Sequence, residues 1–134
     1  MLCYSGKYTK TEMSRYIRGK SGLSALLGTS DAIEVERMIE SGDEHARLVY
    51  DAMARGHAKG IADLASVVCG KVDRIVITGG LANSRMLMDM IRPHVEWIAP
   101  MEVMAGEFEM EALAAGGLRV LRGEEKAHDF VWNR

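Results

Sequence analysis

The chain is most constrained by a β-branched run that stops on two glycines, Val72-Asp73-Arg74-Ile75-Val76-Ile77-Thr78-Gly79-Gly80-Leu81-Ala82-Asn83. The apolar and β-branched residues Ile75 to Thr78 favour a buried parallel strand. Glycine has no Cβ, so Gly79 and Gly80 allow either a tight turn or the close approach of a ligand to the backbone. An apolar-periodic helix pattern follows at once, with Asn83 and Ser84 as good caps. In open α/β sheets ligands bind beyond the carboxyl ends of strands, where amides at the start of the next helix point towards them. The stretch therefore predicts a nucleotide edge, with a purely structural turn as the alternative. It is neither a P-loop nor a dinucleotide fingerprint, because GxxxxGK[ST] and GxGxxG are both absent.

A chain of 134 residues, 48% hydrophobic and 27% charged, has the balance of one globular domain and not of a disordered segment. The net charge is −2, and Lys and Arg are interspersed with Asp and Glu, which argues against nucleic acid as a main partner. The local basic run from Lys7 to Lys20 reads as a solvated helix face. Cys3 and Cys69 lie far apart, with no CxxC pair and no histidine at metal-ligand spacing. Neither a zinc site nor a disulfide framework is signalled, and reduced thiols in the cytoplasm are expected. No apolar run approaches the roughly 20 residues of a membrane span, and Met1 to Ser5 does not resemble a signal peptide. The expectation is a cytoplasmic chain with no membrane partner.

Periodicity predicts a helix from about Thr9-Lys10-Thr11-Glu12 to Gly19, with Met13, Tyr16 and Ile17 on one face, then a helical turn at Leu23 to Leu27. After the turn Gly28-Thr29-Ser30-Asp31, a helix marked by Ile33, Val35, Met38 and Ile39 stops at Ser41-Gly42. A long amphipathic helix starts at Asp43 and reaches about Cys69, with Ala46, Val49, Tyr50, Met53, His57, Ile61, Leu64, Ala65 and Val68 inward. The helix after the glycines buries Met86, Leu87, Met90 and Ile91 and ends before Pro93. A second strand is placed at Met101 to Met104, because Pro100 must sit at an edge, a bulge or a break. The last helix spans Glu107 to Leu121, with Met110, Leu113, Ala114, Gly117, Leu118 and Leu121 inward and Gly123 as its stop. Two parallel strands do not make a stable sheet alone. The missing neighbours are therefore expected from other chain.

Few residues carry chemistry by pattern. Glu107, Glu109 and Glu111 open the last helix, where carboxylates favour the helix dipole; alternatively one of them reaches a hydrated Mg²⁺ on bound phosphates, since that ion takes only one or two carboxylates. Asp31 reads as an N-cap, with polar contact to a nucleotide as its alternative. His45, His57, His94 and His128 are scattered, and His57 is read as a partly buried histidine on an apolar helix face. No Ser/His/Asp or Cys/His set is evident, and ten methionines at helical spacing read as core filler.

Four segments in order carry a family resemblance. Leu2-Cys3-Tyr4-Ser5-Gly6-Lys7-Tyr8-Thr9 is similar to a mid-sequence segment of butyrate kinases, and Leu27-Gly28-Thr29-Ser30-Asp31-Ala32 resembles their next turn. Ile77-Thr78-Gly79-Gly80-Leu81-Ala82 resembles their adenosine motif, and Glu109-Met110-Glu111-Ala112-Leu113-Ala114 through Leu118 to Glu125 resembles their C-terminal helix. The resemblance implies the acetate kinase group and the ribonuclease H-like, actin-like ATPase fold. It implies ATP-dependent phosphorylation of a short-chain carboxylate, butyrate plus ATP giving butyryl phosphate plus ADP, with Mg²⁺. Catalysis in such in-line transfer comes mainly from positioning and charge neutralisation.

Carried over by position, the resemblance sets Gly79, Gly80 and Leu81 against the adenosine and Asn83 near the ribose or α-phosphate. Asp31 matches an aspartate that contacts the nucleoside, and Glu109 a glutamate associated with the metal. Many relatives have arginine two residues after that aspartate, where this chain has Ile33; the Asn83 position is often aromatic in butyrate kinases, and Arg55-Gly56-His57 departs from an uncharged start to that helix segment. The family's first lobe, phosphate loop, catalytic aspartate and substrate-side arginines precede the segment matched by Leu2. Residues 1–134 are therefore expected to be a single fragment of the C-terminal, nucleotide-binding lobe, an α/β unit rich in helix with about two parallel strands. On that reading the catalytic residues lie outside it, the fragment has no turnover alone, and the complete enzyme is a homo-oligomer. The competing expectation is a non-catalytic nucleotide-binding or interaction module whose sheet a partner strand completes.

Overall fold

The computed structural model describes residues 5–106 and 108–129. Its elements are α1 (Lys10–Gly19), α2 (Leu23–Leu27), α3 (Ala32–Glu40), α4 (Glu44–Val67), β1 (Ile75–Gly79), α5 (Arg85–Val95), β2 (Met101–Ala105) and α6 (Glu109–Leu121), with a short 3-10 helix at Gly80–Asn83. The chain is a helix-rich α/β unit in which β1 and β2 pair in parallel, Ile75 opposite Met101 and Gly79 opposite Ala105. The expected segments at Leu2 to Tyr4 and the start of the last helix at Glu107 lie outside the described residues.

Local chemistry sets the helix boundaries. Thr9 caps α1 in a capping box with Glu12: the Glu12 amide donates to Thr9 Oγ1 at 3.3 Å, and Glu12 Oε2 accepts from the Thr9 amide at 2.7 Å. Asp31 caps α3 and Asp43 caps α4, each carboxylate accepting a first-turn amide at 2.9 Å. At the far end of α4, Gly70 donates to the Ala65 carbonyl at 2.9 Å while Cys69 takes the left-handed conformation at φ 54°, a Schellman-like stop in which a β-carbon is unfavourable.

The core joins α3, α4 and α5 to one face of the sheet. Tyr50, Val35 and Val95 are fully buried, and Leu87, Ile91, Ile75 and Met101 pack with them. Along α4 the buried residues are Ala46, Val49, Tyr50, Ala54, Ala58 and Ala65. The small side chains Ala54 and Ala58 thus occupy the contact line, and Leu64 and Val68 are exposed where an inward position was expected. His57 is also exposed, its Nδ1 2.9 Å from the Met53 carbonyl oxygen on its own helix; the expected partial burial does not hold because the buried stripe passes one residue away, at Ala58.

Three other expectations are corrected. The helix α5 runs through Pro93 to Val95. Proline in a helix interior costs about 3 kcal/mol, but burial of Val95 contributes roughly 1.5–3 kcal/mol, and the Glu96 amide still donates to the Arg92 carbonyl at 3.1 Å. The strands are not buried on both faces: Ile75 and Met101 are buried, whereas Val76 and Met104 are about half exposed. No residue of α6 is buried, and the residues expected to face inward, Met110, Leu113, Leu118 and Leu121 among them, are exposed. In α1 the apolar face of Tyr16 and Ile17 is likewise exposed. Pattern alone assigns these helices an apolar face; in α1 the Tyr8 ring meets Tyr16 edge-on at 5.1 Å, and in α6 the face stays exposed.

Candidate functional site

β1 ends on Gly79, and Gly106 follows directly after β2. Gly79 donates to the Gly106 carbonyl at 3.1 Å, and the Gly106 amide lies 3.5 Å from the Gly79 carbonyl, so the strand ends are tied together before α6 departs. Gly79 has φ 84° and ψ −176°, a region open essentially to glycine alone. Gly80 lies outside the left-handed range, and a β-carbon there would meet no heavy atom within 4 Å. Within the described chain, backbone conformation accounts for Gly79, whereas neither conformation nor packing requires glycine at position 80.

The chain then makes one 3-10 turn. Asn83 Nδ2 donates to the Gly80 carbonyl at 3.0 Å, and the Ser84 amide donates to the Leu81 carbonyl at 3.0 Å. Ser84 is the N-cap of α5, its Oγ accepting from the Leu87 amide at 2.9 Å. Leu81 and Asn83 are exposed and Ala82 is buried, so the turn is held by its middle residue and presents its flanks. Of the two expected caps, Ser84 performs the role and Asn83 closes the turn instead.

Behind the turn lies a polar cluster that sequence reasoning missed. Tyr50 on α4 donates its hydroxyl to Glu36 Oε1 at 2.7 Å, Ser84 Oγ donates to the same Glu36 oxygen, and the two hydroxyl oxygens stand 3.3 Å apart. Burial pushes the Tyr50 hydroxyl up to about 12; the hydrogen bond with Ser84 opposes this and Glu36 reinforces it. Tyr50 appears in the sequence as one more residue of the α4 stripe. Its hydroxyl, which needs a partner when buried, was the available signal, and Glu36, beside the buried Val35 on α3, is the carboxylate that answers it.

The remaining site residues fall around this frame. Asp31 is exposed and caps the same helix that carries Glu36, roughly 7 Å along the axis at 1.5 Å per residue; one of its oxygens, Oδ1, holds the Ile33 amide. Ile33 is 60% exposed, so no packing role explains it. Glu109 is exposed in the first turn of α6, which begins just beyond the Gly79–Gly106 tie. Topology thus brings Gly79, Gly80, Leu81, Asn83 and Glu109 to one end of the sheet and connects Asp31 to it through α3. Among the described residues no group of three His, Cys, Asp or Glu side chains converges on a metal position.

This is an α/β unit with an open glycine edge and a capped helix start at the ends of parallel strands, an arrangement that receives phosphorylated ligands. Residues 3–115 match the acetokinase family, and the chain belongs to that family. The match runs from before α1 into the first half of α6 and includes both strands. The family is one of kinases, with ATP-dependent phosphoryl transfer to short-chain carboxylates as its general chemistry and ATP/ADP and Mg²⁺ as its general requirements. No helix among the described residues is long and apolar enough to cross a membrane.

Proposed function

We propose that this chain supplies the adenosine-binding edge of a butyrate kinase, an enzyme that transfers the γ-phosphoryl group of ATP to butyrate or a related short-chain carboxylate in the cytoplasm. The observation that carries the reading is Gly80: an unstrained residue whose missing side chain leaves the backbone open at the carboxyl end of β1, directly before the capped start of α5. A β-carbon at Gly80 would meet no protein atom within 4 Å, which supports close approach of a ligand to the backbone there. Gly79, Gly80 and Leu81 would lie against the nucleoside, Asn83 towards the ribose or α-phosphate, and Asp31 would offer its second carboxylate oxygen. Glu109 would supply a single carboxylate to a hydrated Mg²⁺, which retains most of its waters and neutralises phosphate charge when bound.

In this reading residues 1–134 form one fragment of the C-terminal lobe, and the chemistry requires groups on a second lobe, so the chain alone binds nucleotide without turning it over. The complete enzyme is a homo-oligomer. Calorimetry with ADP and Mg²⁺ tests the reading directly. Saturable binding by the parent chain, lost in Gly80→Arg with the fold retained, is the expected result; a folded parent that binds no nucleotide overturns it. Formation of butyryl phosphate by the purified chain would contradict the fragment reading.

A second reading has its own support in the exposed apolar residues of the sheet, Val76 and Met104, and of α6, Met110, Leu113 and Leu121. Such surfaces suit a module completed by another strand or helix. Light scattering tests this second reading: a defined complex supports the module, and a stable monomer counts against it.

A further inference from the structure

We propose that Glu36 is a positioning residue for the nucleotide edge, acting through Ser84 and Tyr50; the inference rests on the reading that the Gly79–Asn83 turn receives a nucleotide. Among the described residues, Glu36 is the one point at which three helices meet through side-chain hydrogen bonds: it sits on α3, accepts from Tyr50 of α4 and accepts from Ser84 at the start of α5. A serine and a tyrosine hydroxyl each carry one proton. Both hydroxyls donate to Glu36 Oε1, and their 3.3 Å approach to each other, in which either could be the donor, closes the triangle. The carboxylate is the acceptor that the two hydroxyls share.

Ser84 passes this constraint to the ligand edge in two ways. Its backbone amide closes the turn onto Leu81 at 3.0 Å, and its Oγ, while donating to Glu36, accepts the Leu87 amide at 2.9 Å and so aims the first amides of α5. A cap that is itself tethered to a neighbouring helix holds the turn at a fixed angle, whereas an untethered cap only ends the helix. Because Asp31 caps the start of α3, the same carboxylate ties the helix that Asp31 precedes to the glycine edge. Glu36 touches no reacting atom on this account; its effect is on the geometry of the groups that touch the nucleotide.

The test compares Glu36→Leu, Glu36→Gln, Ser84→Ala and the double variant Glu36→Leu/Tyr50→Phe in the full chain, by MgADP calorimetry, thermal unfolding and amide hydrogen exchange at Ser84 and Leu87. Glu36→Leu should weaken MgADP about tenfold, the loss of a charge-assisted hydrogen bond, and speed exchange at both amides. Glu36→Gln keeps an acceptor in place and should stay within about threefold of the parent. The double variant also removes the buried hydroxyl that has lost its carboxylate acceptor and should recover the melting temperature, while affinity stays weak. Recovery of affinity together with stability would show a merely structural role and overturn the proposal. If Glu36→Leu does not fold, Ser84→Ala carries the same comparison, since it frees the turn and leaves Tyr50 and Glu36 paired. A folded parent that does not bind MgADP would defeat the nucleotide reading; hydrogen exchange would then decide the tether alone, and unchanged exchange in Glu36→Leu and Ser84→Ala would overturn it.

Discussion

Gly79 and Gly106 face each other across the carboxyl ends of the two strands, joined by a 3.1 Å hydrogen bond from the Gly79 amide to the Gly106 carbonyl. Both have positive φ, 84° and 123°. The closure fixes where the Gly79–Asn83 turn begins and where the chain leaves for α6, and it separates the reasons for the neighbouring Gly79 and Gly80.

Gly79→Ala should be destabilising by about 1–3 kcal/mol, because its φ and ψ lie in a region open only to glycine. Gly80→Ala should leave stability near that of the parent, since its added methyl meets no atom within 4 Å, yet it should weaken MgADP. Thermal unfolding and calorimetry on the two variants check this. Equal losses of stability would mean that Gly80 is also a backbone requirement.

Tyr50 predicts a stability profile at alkaline pH. Its hydroxyl is held at about 12 in the fold against an ordinary value of 10.0, so the folded chain keeps that proton more tightly than the unfolded chain. The associated stability is complete below about pH 10 and declines as pH rises towards about 12, by on the order of 2 kcal/mol in all. Urea unfolding of the parent and of Tyr50→Phe between about pH 9 and about pH 11 should diverge in slope. Parallel profiles would show that the hydroxyl is not buried in its protonated form.

Glu12 works in the opposite direction at acid pH. The Thr9 backbone amide and then the Thr9 hydroxyl hold its carboxyl below the ordinary 4.5, so the capping box is intact above that value and opens as pH falls through the depressed one. Protection of the Thr9 and Glu12 amides, taken relative to their intrinsic exchange rates, should fall on acidification in the parent. In Glu12→Gln the two amides should show no such titration.

Cys69 stands in left-handed backbone at φ 54°, which costs a non-glycine residue roughly 1–2 kcal/mol. Glycine removes that cost but adds about 0.4–1 kcal/mol of chain entropy to the unfolded state. The net expectation for Cys69→Gly is a gain of roughly 0.5–1 kcal/mol, read from the urea midpoint. A lower midpoint would show that the thiol contributes packing at the end of α4.

Much of this architecture is legible in the sequence because local rules and tertiary packing agree. Thr9, Asp31 and Asp43 cap the helices they precede, and Ile75 to Thr78 form most of a parallel strand. The differences arise where a distant contact decides. Pro93 signals a stop that the buried Val95 overrides. The apolar positions of α6 have a helical period and no partner among the described residues, because periodicity reveals a face without revealing what covers it. At the candidate site, Gly79, Gly80 and the Ser84 cap are visible as a local motif. Glu36 is not, since its role depends on two hydroxyls that are remote in sequence and adjacent only after α3, α4 and α5 pack.

The parallel pairing of β1 and β2 also bears on the order in which the chain can assemble. Ile75 and Met101 are register partners separated only by α5 and its flanking turns, so the glycine edge is built from one contiguous stretch and closes a short loop. The Glu36–Ser84 contact spans 48 positions. Loop-closure entropy rises slowly with length, by about 0.6 kcal/mol per doubling, but a long-range staple must wait for two helices to dock. A substitution at Glu36 should therefore act mainly on the rate of unfolding, while the contiguous strand-helix-strand unit retains its capacity to re-form.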